Sequence, residues 1–80
     1  MLNDYISAAM RKANYEILED QEGFFGSIPP LQGVWANGKT LEECREELKR
    51  TLEDWLLFSL SRQDQIPPID GLDLTVRQVA

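Results

Sequence analysis

Residues 23–44 read Gly23-Phe24-Phe25-Gly26-Ser27-Ile28-Pro29-Pro30-Leu31-Gln32-Gly33-Val34-Trp35-Ala36-Asn37-Gly38-Lys39-Thr40-Leu41-Glu42-Glu43-Cys44, and an amphipathic stretch continues from there to Trp55. Phe24 to Ile28 has the aromatic and branched character of a strand. Pro29 and Pro30 cannot donate to a ladder and end it. Gly33 lets the chain turn into a short third strand, Val34-Trp35-Ala36, which Asn37-Gly38 closes. Thr40-Leu41-Glu42-Glu43 is a capping box, with the Thr40 hydroxyl placed to accept from the Glu43 amide. A helix therefore starts here, and the two acids in its first turn suit the positive end of its dipole.

Downstream, Leu41, Cys44, Leu48, Leu52, Trp55, Leu56 and Ser59 keep to one helical face, so this helix is the expected main wall of the core. Pro67, Pro68, Asp70 and Gly71 break the chain, and Leu72 to Arg77 alternates as a final strand. Upstream, Asn14 to Leu18 alternates as a first strand with Tyr15 and Ile17 on its packed side. Asp20-Gln21-Glu22-Gly23 supplies the reversal into Phe24. Leu2, Tyr5, Ile6, Ala9, Met10 and Ala13 form the stripe of an N-terminal amphipathic helix over 1–13, ahead of a core over 14–80. The order is α-β-β-β-α-β, an α+β domain spanning 1–80. Its sheet is mostly antiparallel and packed by one long helix, with the last strand joining parallel to the first through a right-handed crossover.

Eighty residues carry 14 acidic against 8 basic side chains, a net charge of −6. That balance repels phosphate backbones and anionic lipid, so neither nucleic acid nor membrane is an expected partner, and a basic protein is. There is no His and one Cys, which removes the usual general base and every Cys/His zinc pattern. Cys44 falls on the apolar helix face and reads as a core thiol in a reducing cytoplasm. No apolar run reaches the roughly 18 residues a membrane span needs. So small a chain has a thin core, and self-association to a dimer or tetramer would help it.

The acidic turn followed by an aromatic strand, the Pro-Pro-Leu-x-Gly loop, the Gly-Lys-Thr-Leu-Glu-Glu helix start and the Glu-Asp-Trp-Leu-Leu helix end resemble, in that order, the HicB-like antitoxin family. With the flanks at Tyr15–Glu19 and Gln65–Gly71 the resemblance covers most of the chain. It implies a partly degraded ribonuclease-H-like fold and a protein that neutralises a small basic HicA-type toxin, an mRNA-cleaving ribonuclease, by protein contact. No cofactor or metal is implied. Many HicB proteins carry a C-terminal DNA-binding module, whereas nothing follows the last strand here, so operator binding is not expected. The family's Pro-Gly-Cys reads Gln32-Gly33-Val34 in this chain, which keeps the turn.

Catalysis by such a chain would need carboxylates converging on metal ions. The candidates are Glu16, Glu19, Asp54 and Asp73. Glu16 and Asp73 alternate away from the packed residues and read as solvent-facing, and an acidic chain without a basic channel holds RNA poorly, so no enzyme activity is expected. Asp20 to Glu22 lacks calcium-loop spacing, and Gly38-Lys39-Thr40 lacks the first glycine of a phosphate loop. What remains is contact surface. Phe24 and Phe25, adjacent on a strand, point to opposite faces, and Trp35 alternates against Val34 and Ala36. For Phe25 or Phe24 and for Trp35, the readings are cover by the first helix or a sister subunit, or contact with a toxin. Glu42, Glu43, Glu46 and Glu47 form like-charge pairs at i, i+4, read either as a solvated face or as an acidic contact for a basic partner. The alternative functions are a solitary HicB-like oligomeric adaptor without a toxin, and a residual metal-dependent nuclease.

Overall fold

A computed structural model describes residues 2–19 and 22–74. Helix α1 (Leu2–Arg11) leads into strands β1 (Asn14–Ile17), β2 (Phe24–Ser27) and β3 (Trp35–Gly38), and helix α2 (Leu41–Ser61) follows. The strands form an antiparallel sheet in the order β1-β2-β3. Its register sets Asn14 beside Ser27 and Ser27 beside Trp35 at one end, and Ile17 beside Phe24 and Phe24 beside Gly38 at the other. Because side chains alternate, Tyr15, Gly26 and Ala36 share the face under the helices, while Glu16, Phe25 and Asn37 share the other.

Each junction has a local cause. Gly23, at φ 126, closes the first hairpin, where the Leu18 amide donates to its carbonyl at 2.8 Å. The Pro29-Pro30 loop curls inward rather than spanning solvent. Its amides at Leu31 and Val34 donate to Ile28 and Leu31 carbonyls, and Ile28, Leu31 and Val34 are all buried. The Glu43 amide donates to Thr40 Oγ1 at 3.0 Å, as the capping box requires. At the far end of α2, Gln63 adopts φ 57 while the Asp64 amide donates to the Ser59 carbonyl and the Gln63 amide to Leu60. This is a Schellman stop built without glycine.

α2 lies mainly across β3 and β2, burying Cys44, Leu48, Leu52, Leu56 and Ser59. The approach is close enough that the Cys44 thiol donates to the Ala36 carbonyl at 3.6 Å. A Cβ on Gly26 would lie 3.1 Å from Cys44 Sγ. α1 packs beside α2 through Tyr5, Ala8 and Ala9. The segment after α2 returns along α1: Ile66 and Ile69 are buried, the Tyr5 hydroxyl donates to the Pro67 carbonyl, and Lys12 pairs with Asp70 at 3.2 Å.

Burial, and behind it the Asp73 carboxylate, push the Tyr5 phenol above its ordinary 10.0. The folded chain then holds a proton that the unfolded chain gives up, so stability is full below pH 10 and falls as pH rises past it. Tyr5→Phe is expected to lose about 1 kcal/mol at neutral pH and to flatten that alkaline decline, read from urea midpoints at pH 7 and above 10.

Five sequence expectations are corrected. The third strand extends through Gly38 instead of ending at Ala36, because Phe24 and Phe25 pair with Gly38 and Asn37. Leu72 to Leu74 adds no strand to the sheet: Asp70 and Gly71, at φ 49 and 78, make a two-residue turn that pairs Ile69 with Leu72 only. The rest of the expected last strand, 75–77, lies outside the described residues. Ile17 is 72% exposed, since α2 covers β3 and β2 and leaves the end of edge strand β1 bare. Leu41 is likewise 48% exposed, being ahead of the first turn that reaches the sheet, and Trp55 sits at the margin of the core, half-buried.

Candidate functional site

The structure separates the expected contact residues onto two sides of the molecule. On the sheet face away from the helices, Phe25 and Trp35 stack with ring centroids 6.0 Å apart and planes at 26°. They come together because Phe25 lies diagonally across from Trp35 on antiparallel neighbours, within reach of two aromatic rings. No helix among the described residues lies over this face, and Trp35 remains 55% exposed. The expectation that α1 covers this pair fails: α1 packs beside α2 on the opposite face. Phe24 points to the helix side and is half-buried at the sheet's end. Around the stacked pair on the described strands stand Asn14, Glu16, Ser27 and Asn37, one charged residue in four.

The four glutamates occupy the helix side and do not form one patch. Glu42 and Glu46 line a groove of about 1010 Å³ between α1, β1 and the first half of α2. Its floor is Ile6, Met10, Ala13 and Tyr15, and Arg11, Arg45 and Lys49 stand on its rims. Glu43 and Glu47 lie one helical row away. Glu43 serves the cap through its amide, and Glu47 pairs with Arg50 at 2.7 Å. The groove exists because α2 leans over β3 and leaves β1 uncovered. Tyr15 on that floor has its phenol pushed up from 10.0 by burial, with Arg45 pulling the other way. Sequence periodicity reveals each helix's apolar stripe but not how far apart two helices stand, so Arg11, Arg45 and Lys49 carried no signal as a group.

The carboxylates weighed for metal chemistry are dispersed. Glu16 is on the outer sheet face, Asp54 on the solvent side of α2 and Asp73 beyond the Asp70-Gly71 turn, all exposed. Among the described residues no group of three His, Cys, Asp or Glu side chains could hold a metal ion. Burial pushes the Cys44 thiol up from 9.0, which keeps it protonated and inert at neutral pH. Among the described residues no helix is long and apolar enough to cross a membrane.

The fold defines a small α+β protein with a three-stranded antiparallel sheet and two helices on one of its faces. A crystal structure of TTHA0281 from Thermus thermophilus has this architecture, with a TM-score of 0.88 and 45% identity over 96% of this chain and 95% of that one. The UPF0150 protein ssl0259 of Synechocystis sp. (strain ATCC 27184 / PCC 6803 / Kazusa) is 37% identical over 49 residues, 61% of this chain and 67% of its own length. Residues 4–67 match the UPF0150-like family, and the chain belongs to it.

Proposed function

We propose that this UPF0150-like chain is an antitoxin of the HicB kind, which neutralises a small basic, mRNA-cleaving ribonuclease of the HicA kind by covering it. The observation that carries this reading is the Phe25–Trp35 pair, stacked on a sheet face that no described helix covers and with Glu16 as the charged residue among its strand neighbours. Aromatic enrichment and charge depletion mark the centres of protein interfaces, and Trp is the residue most often found to anchor them. The net charge of −6 steers a basic partner toward the molecule, with Glu42, Glu43, Glu46 and Glu47 contributing to that field from the helix side. The same reading includes descent from a ribonuclease-H-like fold, a cytoplasmic setting and action by contact rather than catalysis. The hairpin followed by β3 and a long helix supports that descent.

The test is capture of the tagged chain from its host's lysate at low salt, then calorimetry with the recovered partner. A small basic protein whose RNA cleavage stops on adding the chain is the expected result. Trp35→Ala should weaken that complex by about 2 kcal/mol or more, roughly thirtyfold, without lowering the melting temperature, because the side chain is exposed. Equal affinity for wild type and variant would move the contact off the sheet. A second reading, an oligomeric adaptor without a toxin, draws on the two sheet edges, β1 and β3, that carry no further strand among the described residues. Recovery of the chain alone, as a defined oligomer, would select it.

A further inference from the structure

We propose that the groove between α1, β1 and α2 receives the second half of α2 from another copy of this chain, so that two α2 helices pair antiparallel about a two-fold axis. The inference is independent of the toxin reading, since it concerns the helix side of the molecule and needs no other protein.

The groove is amphipathic in a particular way. Its floor of Ile6, Met10, Ala13 and Tyr15 is apolar, and its rims present Arg11, Arg45 and Lys49. Among the described residues the ion pairs are Lys12–Asp70, Arg50–Glu47 and Arg62–Asp64, so these three rim cations are unpaired. A chain of net charge −6 has therefore gathered three of its 8 basic side chains around a half-buried apolar floor. Glu42 and Glu46 stand among them and leave the groove lining with one net positive charge.

The occupant is written on the same helix. The row that forms the groove wall, Glu42, Glu46 and Lys49, continues past the groove at helical spacing as Glu53 and Leu57. Glu53 is exposed, and Leu57 is an apolar side chain 64% exposed on a helix whose core face is already satisfied. An antiparallel partner crossing near Thr51 sets Lys49 of each copy opposite Glu53 of the other. It also carries each Leu57 to the level of the other copy's Arg45, over the apolar floor. One contact generates two identical ion pairs and two buried leucines, and the two-fold operation closes the assembly at a dimer.

The pairing predicts an exchange result that no other arrangement gives. Sedimentation equilibrium of the full chain at up to about 0.1 mM should show a dimer. Lys49→Glu sets acid against acid twice, and Glu53→Lys sets base against base twice, so each variant should dissociate at least about tenfold more readily. Mixing the two variants restores both opposite-charge pairs, and a heterodimer of near wild-type affinity should form. The mixture also separates the interface from any effect of the substitutions within one helix, since neither chain has regained its own Lys49 and Glu53 together. Both side chains are exposed, so each variant should keep the wild-type circular dichroism. A monomer at every concentration overturns the proposal, as do single variants that dimerise like wild type, or weakened variants that fail to recover on mixing.

Discussion

Gly38→Ala is expected to abolish folding. A Cβ at this position would lie 2.3 Å from the Cys44 amide nitrogen, 2.7 Å from Cys44 Cα and 2.8 Å from the Glu43 carbonyl carbon. Those atoms are backbone in the first turn of α2, so no side-chain rotation relieves the clash. Gly38 is not among the residues at positive φ, and the requirement is therefore one of space rather than of backbone strain. To accept the methyl group the helix must lift off β3, and with it go the packing of Cys44 and Leu48 and the bond from the Cys44 thiol to Ala36.

Overpacking commonly costs about 1–3 kcal/mol and more when backbone must move, against the roughly 5–15 kcal/mol that holds a domain folded. The expected loss is at the top of that range or beyond, seen as a missing cooperative transition in urea. Gly26→Ala is the control: its Cβ would meet the Tyr15 ring at 3.0 Å and Cys44 Sγ at 3.1 Å, groups that can shift by tenths of an ångström. That variant should fold with a lowered midpoint. A Gly38→Ala protein as stable as Gly26→Ala would show that the start of α2 can slide along the sheet.

Leu52→Ala should be the most damaging truncation on α2. Leu52 has no exposure and lies in mid-helix, with Leu48 one turn before it and Leu56 one turn after, in the same core cluster as Tyr5, Ile66 and Ile69. Helix propensity does not compensate much, since Leu and Ala are both good formers. The loss is that of three buried carbons plus the cavity they leave, about 2–5 kcal/mol. In a domain of this size that lowers the melting temperature by roughly 10–30 °C. Trp55→Ala, though it removes a larger side chain, should cost less, because Trp55 only borders the core. Calorimetry of the two variants checks the order, and a Trp55 variant less stable than the Leu52 one would mean that the indole edge carries the helix.

The parts of the fold legible in the sequence were those with local causes. Thr40 and Glu43 announced the start of α2, Gly23 closed the first hairpin, and the pattern from Cys44 to Ser59 marked the buried stripe. What failed depended on distance in space. Asn37-Gly38 looked like a turn because that pair usually is one, yet Gly38 is a strand residue kept small by the helix lying on it. Leu72 to Leu74 alternated like a strand, but the Asp70-Gly71 turn spends Leu72 on a single bridge to Ile69, and the half-buried leucines cap the core instead.

The contact residues divide in the same way. That Phe24 and Phe25 face opposite sides followed from strand geometry alone. That Phe25 meets Trp35 required the register between β2 and β3, which no single strand contains. The glutamates were read as one acidic patch from their proximity in sequence. α2 turns Glu42 and Glu46 toward a groove with cations of its own and leaves Glu43 and Glu47 a row away.

The clasp between α1 and the segment after α2 bears on the chain's birth at the ribosome. Tyr5 hydrogen-bonds Pro67, 62 positions later, and Lys12 reaches Asp70. At about 5–20 residues per second, the first helix leaves the exit tunnel some 3–12 s before the segment that anchors it. Through that interval its Tyr5, Ala8 and Ala9 stripe has at most the α2 side of its final seat, since the β1–β2 hairpin and then α2 form first. Nascent chains halted before Pro67 should therefore carry an N-terminal helix open to proteases and chaperones, which becomes protected only when Ile66 to Asp70 emerges and closes over it.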